Sequence, residues 1–409
     1  MPRCLRSLEH FCVFALLPLR RLLICCLSLL ALAGCDRPSA IALDQQVYIW
    51  QRQWRAAHAQ ALVASHADFS TLRVLVAQAH PNEGWIQARI DNDLLRQDGR
   101  PLIAVIRLDG QLPRLDSSAI DQHIQTTVRN WQASGLNLRG VEIDHDCANN
   151  RLSAYAQLLH TVRAELPAGL TLSITALPAW LSSKALPTVL QEVDSSVLQV
   201  HAVSRPEAGL FDAQLALRWA NAYGAVSSKP FHLALPAYGV ALTENGDVES
   251  EAPLPQGGSR RELHAKPEDV AKLLRDMQAA PVPHLTGLIW FRLPLAGDRR
   301  AWPLVTLQAV LHQQPLRSNL QVTVQQQGEL FELRLVNSGN LSAALPTLIR
   351  NDAAHCESGD GVQGYRLQRA ANTLEFVRQS PGQLAAGQSR ALGWLRCSQL
   401  DHGGFRVSP

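Results

Sequence analysis

Eight apolar, β-rich runs alternate with eight helical patterns between Val47 and His312, and this alternation restricts the fold more than any other feature of the chain. The β-type runs are Val47–Trp50, Leu72–Ala77, Leu102–Leu108, Leu138–Cys147, Leu170–Leu177, Val197–Val203, Phe231–Leu235 and Leu285–Leu293. Their near-continuous apolar character suits strands buried on both faces, as in a parallel sheet covered by helices. The helical patterns fall at Arg52–Ser65, Gly84–Arg96, Ser117–Trp131, Arg151–Leu166, Ala185–Glu192, Phe211–Tyr223, Lys266–Gln278 and Trp302–His312. Ser117 or Ser118 is expected to cap the third of these, Gly224 to end the sixth, and Pro267 to open the seventh. Eight such units over residues 46–314 predict a (β/α)8 TIM barrel. An open doubly wound sheet is the competing arrangement, but it calls for a Gly-rich phosphate turn after the first strand, and the sequence has none there.

Beyond Leu316 the helical patterns stop. Short β-type runs at Gln321–Val324, Leu330–Val336, Thr347–Ile349, Tyr365–Leu367 and Thr373–Val377 are separated by turns such as Asn337-Ser338-Gly339-Asn340. Residues 318–409 are therefore expected to form a small C-terminal β-sandwich.

The N-terminus reads as a processing signal. Arg20 and Arg21 precede the apolar run Leu22–Leu32, too short for a comfortable membrane span, and Leu32-Ala33-Gly34-Cys35 resembles a bacterial lipobox. By that resemblance residues 1–35 are a lipoprotein signal peptide ending at the lipidated Cys35, and residues 36–45 a tether. The chain is then exported and lipid-anchored on the periplasmic side of the inner or outer membrane of a Gram-negative bacterium. Asp36 resembles an inner-membrane retention signal. Of the 38 Lys and Arg and 35 Asp and Glu, the arginines Arg3, Arg6, Arg20 and Arg21 and the acid Glu9 precede Cys35, so the remainder balances at 34 of each. A neutral chain without a basic run gives no footprint for nucleic acid. Four of the eight cysteines remain after processing: Cys35, Cys147, Cys356 and Cys397. In an oxidising compartment Cys356 and Cys397, both in the C-terminal region, are expected to pair, leaving Cys147 as a buried thiol. No Cys or His spacing fits a metal site, and no cofactor is expected.

The fourth run carries the chemistry. Leu138–Cys147 reads L-R-G-V-E-I-D-H-D-C, with Glu142, Asp144 and Asp146 at every second position. Alternate residues of a strand share a face, so the three carboxylates point one way while Val141, Ile143 and His145 point the other. Such a row resists burial and is costly to keep for stability alone, although structural ion pairs also hold carboxylates in this way. In a barrel the working residues gather at the C-terminal ends of the strands. Those ends contribute Trp50 and Trp54, Glu83 in Gln78–Trp85, Asp109, Asp144 and Asp146, Trp180, His201, Tyr238, and finally Trp290 with Arg292. Carboxylates beside tryptophans suit a sugar: the rings stack on its C–H faces, and the acids hydrogen-bond hydroxyls or move a proton at a glycosidic oxygen. Asp109, followed by Gly110, also suits a turn, and His201 a hydrogen-bonded barrel histidine. Gly239–Ala265 is expected as a long irregular connection over the pocket, with Arg260 and Arg261 reaching an acidic group.

Gly140-Val141-Glu142-Ile143-Asp144-His145-Asp146 is similar to the fourth-strand motif of the family 18 glycoside hydrolases, the chitinase group. Leu233–Gly239 resembles their seventh-strand segment, and Gly287-Leu288-Ile289-Trp290 their eighth. The chain as a whole resembles an uncharacterised family of bacterial lipoproteins, domain of unknown function 3142. The first resemblance implies that Asp146 stands for the proton donor and Asp144 for the carboxylate that tunes it. It implies that Tyr238 and Trp290 line the sugar floor, and that Glu142 is deep and structural. Three departures argue against chitin as the substrate. Asp146 replaces a glutamate, Glu142 replaces an aspartate, and Leu198-Gln199-Val200-His201 lacks the Tyr-Asp pair that holds an acetamido group. A two-carboxylate route would pair Asp146 with Asp109 or Glu83. The readings are a membrane-tethered glycoside hydrolase acting on a cell-envelope or extracellular polysaccharide, a catalytically inactive carbohydrate-binding or envelope-assembly lipoprotein, and a metal site of Asp144, Asp146 and His201. Trp50, Trp180, Asp109, His201, Glu83 and Glu142 complete the candidate sugar contacts.

Overall fold

The computed structural model describes residues 43–201, 209–243, 248–249, 260–352, 354–370 and 373–409. The expected signal peptide, Cys35 and most of the expected tether lie outside these residues. Eight parallel strands, Asp44–Ile49, Thr71–His80, Leu102–Leu108, Leu138–His145, Thr171–Ala176, Ser195–Gln199, Phe231–Pro236 and Leu285–Phe291, form one closed sheet. The first strand closes it by pairing on both sides, Val47 opposite Trp290 and Leu72. A helix follows each strand, at Ala56–Ala64, Asn92–Asp98, Ser117–Ala133, Leu152–Glu165, Leu186–Gln191, Ala213–Val226, Pro267–Ala279 and Leu304–Leu311. The fold is a (β/α)8 barrel. Among the described residues no helix is long and apolar enough to cross a membrane.

Strand alternation divides the side chains into two layers. Val47, Ile49, Val141, Ile143 and Leu233 point outward and pack beneath the helices in the main core. Tyr48, Trp50, Leu75, Val105, Val197, Ala234 and Ile289 point inward and form a separate cluster inside the barrel. The residue pattern explains the split, because period-2 alternation sends successive side chains to opposite faces.

Several local expectations are corrected. Gly84–Arg96 is not a helix. Gly84 adopts φ +69°, turning the chain so that Gly84–Gln87 returns antiparallel to the second strand, with Trp85 opposite Ala79. The helix starts at Asn92, where the Asp91 carboxylate accepts from the Leu94 amide at 3.0 Å, and stops at Gly99 in the left-handed region. Asp116, not Ser117 or Ser118, caps the next helix by accepting from the Ala119 amide at 3.1 Å. Gly224 lies inside its helix, where a Cβ would meet the Pro283 carbonyl at 2.5 Å, so it serves close packing. Gly239–Ala265 is not irregular throughout: Gly239–Thr243 pairs antiparallel with Arg260–His264 and with Val248–Glu249. The Arg260 side chain lies outside what is described.

Residues 320–408 form two four-stranded antiparallel sheets and a two-stranded pair, Ala343–Ala344 with Gln383–Leu384. One four-stranded sheet comprises Leu320–Gln327, Leu330–Asn337, Ser389–Leu400 and Ala354–Gly361, and the other Tyr365–Ala370, Thr373–Arg378, Leu348–Asn351 and Arg406–Ser408. Phe331, Leu333 and Leu395 from the first and Ile349, Leu374 and Phe376 from the second share one apolar core. Cys356 and Cys397 are disulfide-bonded across neighbouring strands, and Cys147 is a buried free thiol.

Candidate active site

The acid row lies inside the barrel, and its three members have different surroundings. Glu142, the deepest, is fully buried. It accepts from Tyr48 Oη at 2.7 Å, from the Arg73 guanidinium, and from Ser173 Oγ at 3.4 Å. Burial pushes its carboxyl up while Arg73 opposes the shift. Arg73 also donates to Gln46 Oε1 at 2.8 Å. This is a satisfied internal ion pair that a substrate does not reach, so Glu142 is structural and not a sugar contact.

Asp144, one layer higher, is also buried. Thr175 Oγ1 donates to its Oδ1 at 2.6 Å and Gln199 Nε2 at 3.2 Å, while Arg107 Nη1 donates to its Oδ2. Asp146 follows the end of the strand and keeps 29% of its side chain exposed. Arg107 Nη2 reaches its Oδ2 at 3.3 Å, and Gln199 Nε2 reaches its Oδ1 at 3.1 Å. Burial and the neighbouring Asp144 charge push the Asp146 carboxyl up from 3.8 to about 6, with Arg107 and Gln199 pulling the other way. Arg107 is itself held charged, chiefly by Asp144, and its guanidinium carbon stands 5.8 Å from the centre of the Trp50 ring.

Gly110 fixes the height of Asp146. A Cβ there would lie 2.1 Å from the Asp146 carbonyl oxygen, so only glycine lets the loop after the third strand approach so closely. Asp109, in the same loop, uses Oδ1 to accept from the Gln111 amide at 2.8 Å. Glu83 is exposed in the hairpin turn before Gly84.

Aromatic rings line the inward layer above Glu142. Trp50 meets Phe291 edge-on at 5.1 Å and Tyr48 at 5.6 Å. Phe291 stacks on His201 at 5.0 Å and meets Tyr238 at 5.1 Å. His201 Nδ1 lies 3.2 Å from Tyr238 Oη, and burial pushes the imidazole down to about 4, so it is neutral at pH 7. Two expected contacts point elsewhere. Trp290 is buried in the outer core and donates from Nε1 to Gln45 Oε1 at 2.9 Å; Phe291, one residue on, takes the inward position. Trp180 is fully buried and donates to the Cys147 carbonyl at 2.8 Å. Trp54 stacks on His58 at 4.8 Å beside a surface cleft of about 350 Å³ lined by Arg55, Asp91, Asp93 and Leu94.

Arg107, Gln199 and Thr175 complete the site, and none of the three is among the candidates read from the sequence. Their signal was present: Arg107 is the one charge in Leu102–Leu108, and Gln199 ends an apolar run. Among the described residues no group of His, Cys, Asp and Glu could hold a metal ion. The Arg107 guanidinium bridges Asp144 and Asp146.

A (β/α)8 barrel with an acid row rising to its C-terminal mouth, followed by a β-sandwich, is thus the class of this protein. Residues 98–296 match the family described as Domain of unknown function (DUF3142), and residues 320–398 match Domain of unknown function (DUF8456). The first of these matches lies within the barrel. Among curated proteins no match to this sequence was found. The spore cortex-lytic enzyme SleL of Bacillus cereus is similar in structure, with TM-score 0.48 and 14% identity, over 62% of this chain and 71% of its own. A chitinase from Chromobacterium violaceum gives 0.47 and 15%, over 63% and 96%. The GH18 chitinase ChiB from the chitin utilization locus of Flavobacterium johnsoniae gives 0.45 and 13%, over 66% and 93%. Likenesses of this strength concern barrel architecture alone.

Proposed function

We propose that this protein is a glycoside hydrolase acting on a cell-envelope or extracellular polysaccharide, with Asp146 as the general acid. The observation that carries the reading is the unequal pair of aspartates. Asp144 is buried and fully hydrogen-bonded, whereas Asp146 remains partly exposed with its carboxyl pushed up to about 6. Two carboxylates whose surroundings differ in this way suit a donor and a tuner. Asp146 would protonate the departing glycosidic oxygen, and the Asp144 charge would keep that proton available near neutral pH. Trp50, Phe291 and Tyr238 form one aromatic cluster, in which the Trp50 ring lies 5.8 Å from the guanidinium that holds Asp146, and Asp109, which acts on the same guanidinium, is the candidate second carboxylate. The test is product release from a panel of envelope and extracellular glycans. Turnover is expected to fall as pH rises above about 6 and to drop roughly 10²- to 10⁴-fold in Asp146→Asn. Unchanged turnover of an identified glycan by a folded Asp146→Asn protein would falsify the assignment.

A second reading is favoured by one observation. Arg107 and Gln199 each donate to both aspartates, which pins Asp146 as a catalytically inactive carbohydrate-binding protein would allow. Retention on a glycan without product release selects this reading. We also propose export and lipid anchoring through Cys35. The expected result is incorporation of labelled palmitate into the native chain but not into Cys35→Ser.

A further inference from the structure

The outer face of the first sheet of the sandwich carries a row of side chains that the barrel chemistry does not use. In strand register Gln325 stands opposite Glu332, Glu332 opposite Trp394, and Trp394 opposite Asp360. All four side chains lie on the solvent side, while Leu333 and Leu395 beside them point into the core. Trp394 is 38% exposed and is the one exposed aromatic among the described residues. Keeping a tryptophan in water forgoes the burial that an aromatic side chain normally gains, and nothing in the sandwich core requires it there.

We infer that this face is a second saccharide-binding site, distinct from the barrel, on which Trp394 is a stacking platform for a neutral glycan chain. Strands lie ~4.8 Å apart, so four residues in register span ~14 Å across the sheet, a flat track with an indole in its middle. Glu332 and Asp360 flank the ring on either side and accept from sugar hydroxyls, and Gln325 both donates and accepts. Arg334 and Arg396, exposed on the same strands, balance the two acids, which favours a neutral ligand over a charged one. A protein partner fits less well, because the core of a protein interface is depleted of charge and Trp394 stands alone among polar neighbours. The Cys356–Cys397 disulfide joins the strands that carry Asp360 and Trp394, so the track is held rigid. The inference does not depend on turnover in the barrel. If the barrel cleaves a polysaccharide, a tethered second site raises the local concentration of that chain.

The test is affinity electrophoresis of the full-length protein in native gels cast with hydroxyethyl cellulose, mixed-linkage β-glucan, xylan or glycol chitin. Retardation is expected in at least one gel, reduced at least tenfold in apparent affinity by Trp394→Ala and less by Glu332→Gln or Asp360→Asn. Asp146→Asn is expected to retain it, which separates this site from the barrel. Circular dichroism and thermal melting of Trp394→Ala confirm folding, and Trp394→Phe, which keeps a ring, is expected to restore part of the binding. Absence of retardation in all four gels, retardation indifferent to Trp394→Ala, or loss in Asp146→Asn alone would each overturn the inference. So would Trp394-dependent capture of a protein without any glycan binding.

Discussion

Arg107 Nη2 lies 3.3 Å from Asp146 Oδ2, and the other end of the same guanidinium holds Asp144. One cation therefore serves two carboxylates, and it restrains their mutual repulsion. Replacing it with Met leaves Asp144 buried without its charge partner. The Arg107→Met protein is expected to lose about 2–4 kcal/mol of stability, less than a fully buried pair because the guanidinium is partly exposed. Its Asp146 carboxyl is expected to titrate above the native value of about 6. Urea unfolding and a carboxyl NMR titration measure the two effects, and an Asp146 carboxyl that titrates lower than in the native protein contradicts the geometry.

The Asp146 carboxyl also makes stability depend on pH. Its folded value, about 6, lies above its ordinary 3.8, so between these values the native state binds more protons than the unfolded chain. This contribution is fully present below pH 4 and is lost as pH rises through 6. Asp146→Asn cannot ionise, so it is expected to melt at a higher temperature than the native protein at pH 7–8. The difference should shrink toward pH 4. The effect is about 3 kcal/mol at the upper end, and thermal melts across pH 4–8 read it directly. A constant offset across the range assigns the shift to some other group.

Deeper in the barrel, the Arg73–Glu142 pair is satisfied on both sides, and removal of one partner strands the other. Glu142→Ala is expected to cost about 3–5 kcal/mol, and Arg73→Met a similar amount. The double variant Arg73→Met/Glu142→Leu is expected to recover most of the loss, because neither charge then remains buried. Tyr48→Phe removes one donor to Glu142 and is expected to cost about 1–2 kcal/mol. Chemical denaturation of the native protein, Arg73→Met, Glu142→Leu and the double variant forms a double-mutant cycle. Additive losses in the double variant indicate that the two residues do not act as a pair.

Above them, Gly110 presses on the Asp146 backbone. Gly110→Ala is expected to displace the acid and reduce turnover of a cleaved glycan by about 10²-fold, mainly in kcat, with a smaller effect on KM. Steady-state kinetics of the folded variant make the comparison. A selective rise in KM places the effect on binding and not on the position of the acid.

The parts of this site that the sequence revealed were those governed by alternation. Eight apolar runs between helical patterns specify the barrel because parallel strands buried on both faces have few other solutions. Glu142, Asp144 and Asp146 fell on one face because the side-chain period in a strand is two. The same rule holds in the eighth strand. Gly287 faces His232 inside the barrel, with a Cβ there only 2.7 Å from the His232 ring, so Ile289 and Phe291 share the inner face and Trp290 cannot. The likeness of the Gly287–Trp290 segment to a known motif suggested the wrong side. Trp180 was misplaced for another reason. A 3-10 turn at Pro178–Ser182 folds its ring onto the Cys147 carbonyl, and no strand periodicity reports on such a turn. Arg107 and Gln199 were legible only as polar residues at the ends of apolar strands, a signal that gains meaning once the neighbouring strand is known to carry acids.

The Cys356–Cys397 bond separates the stability of the sandwich from that of the barrel. It closes a loop of 41 residues, for which the entropy of the reduced, unfolded chain implies a contribution of about 4 kcal/mol. The two apolar cores are distinct, so reduction acts on one of them. Cys356→Ser/Cys397→Ser is expected to unfold its sandwich at lower denaturant concentration. The barrel transition, read from a near-ultraviolet signal of Trp50 and Trp180, is expected to stay in place. Asp360 and Trp394 sit on the two strands the bond joins, so glycan retardation should weaken in the double serine variant even where the sandwich is still folded. Unchanged retardation together with a lowered sandwich transition means that the bond stabilises the fold without holding the track.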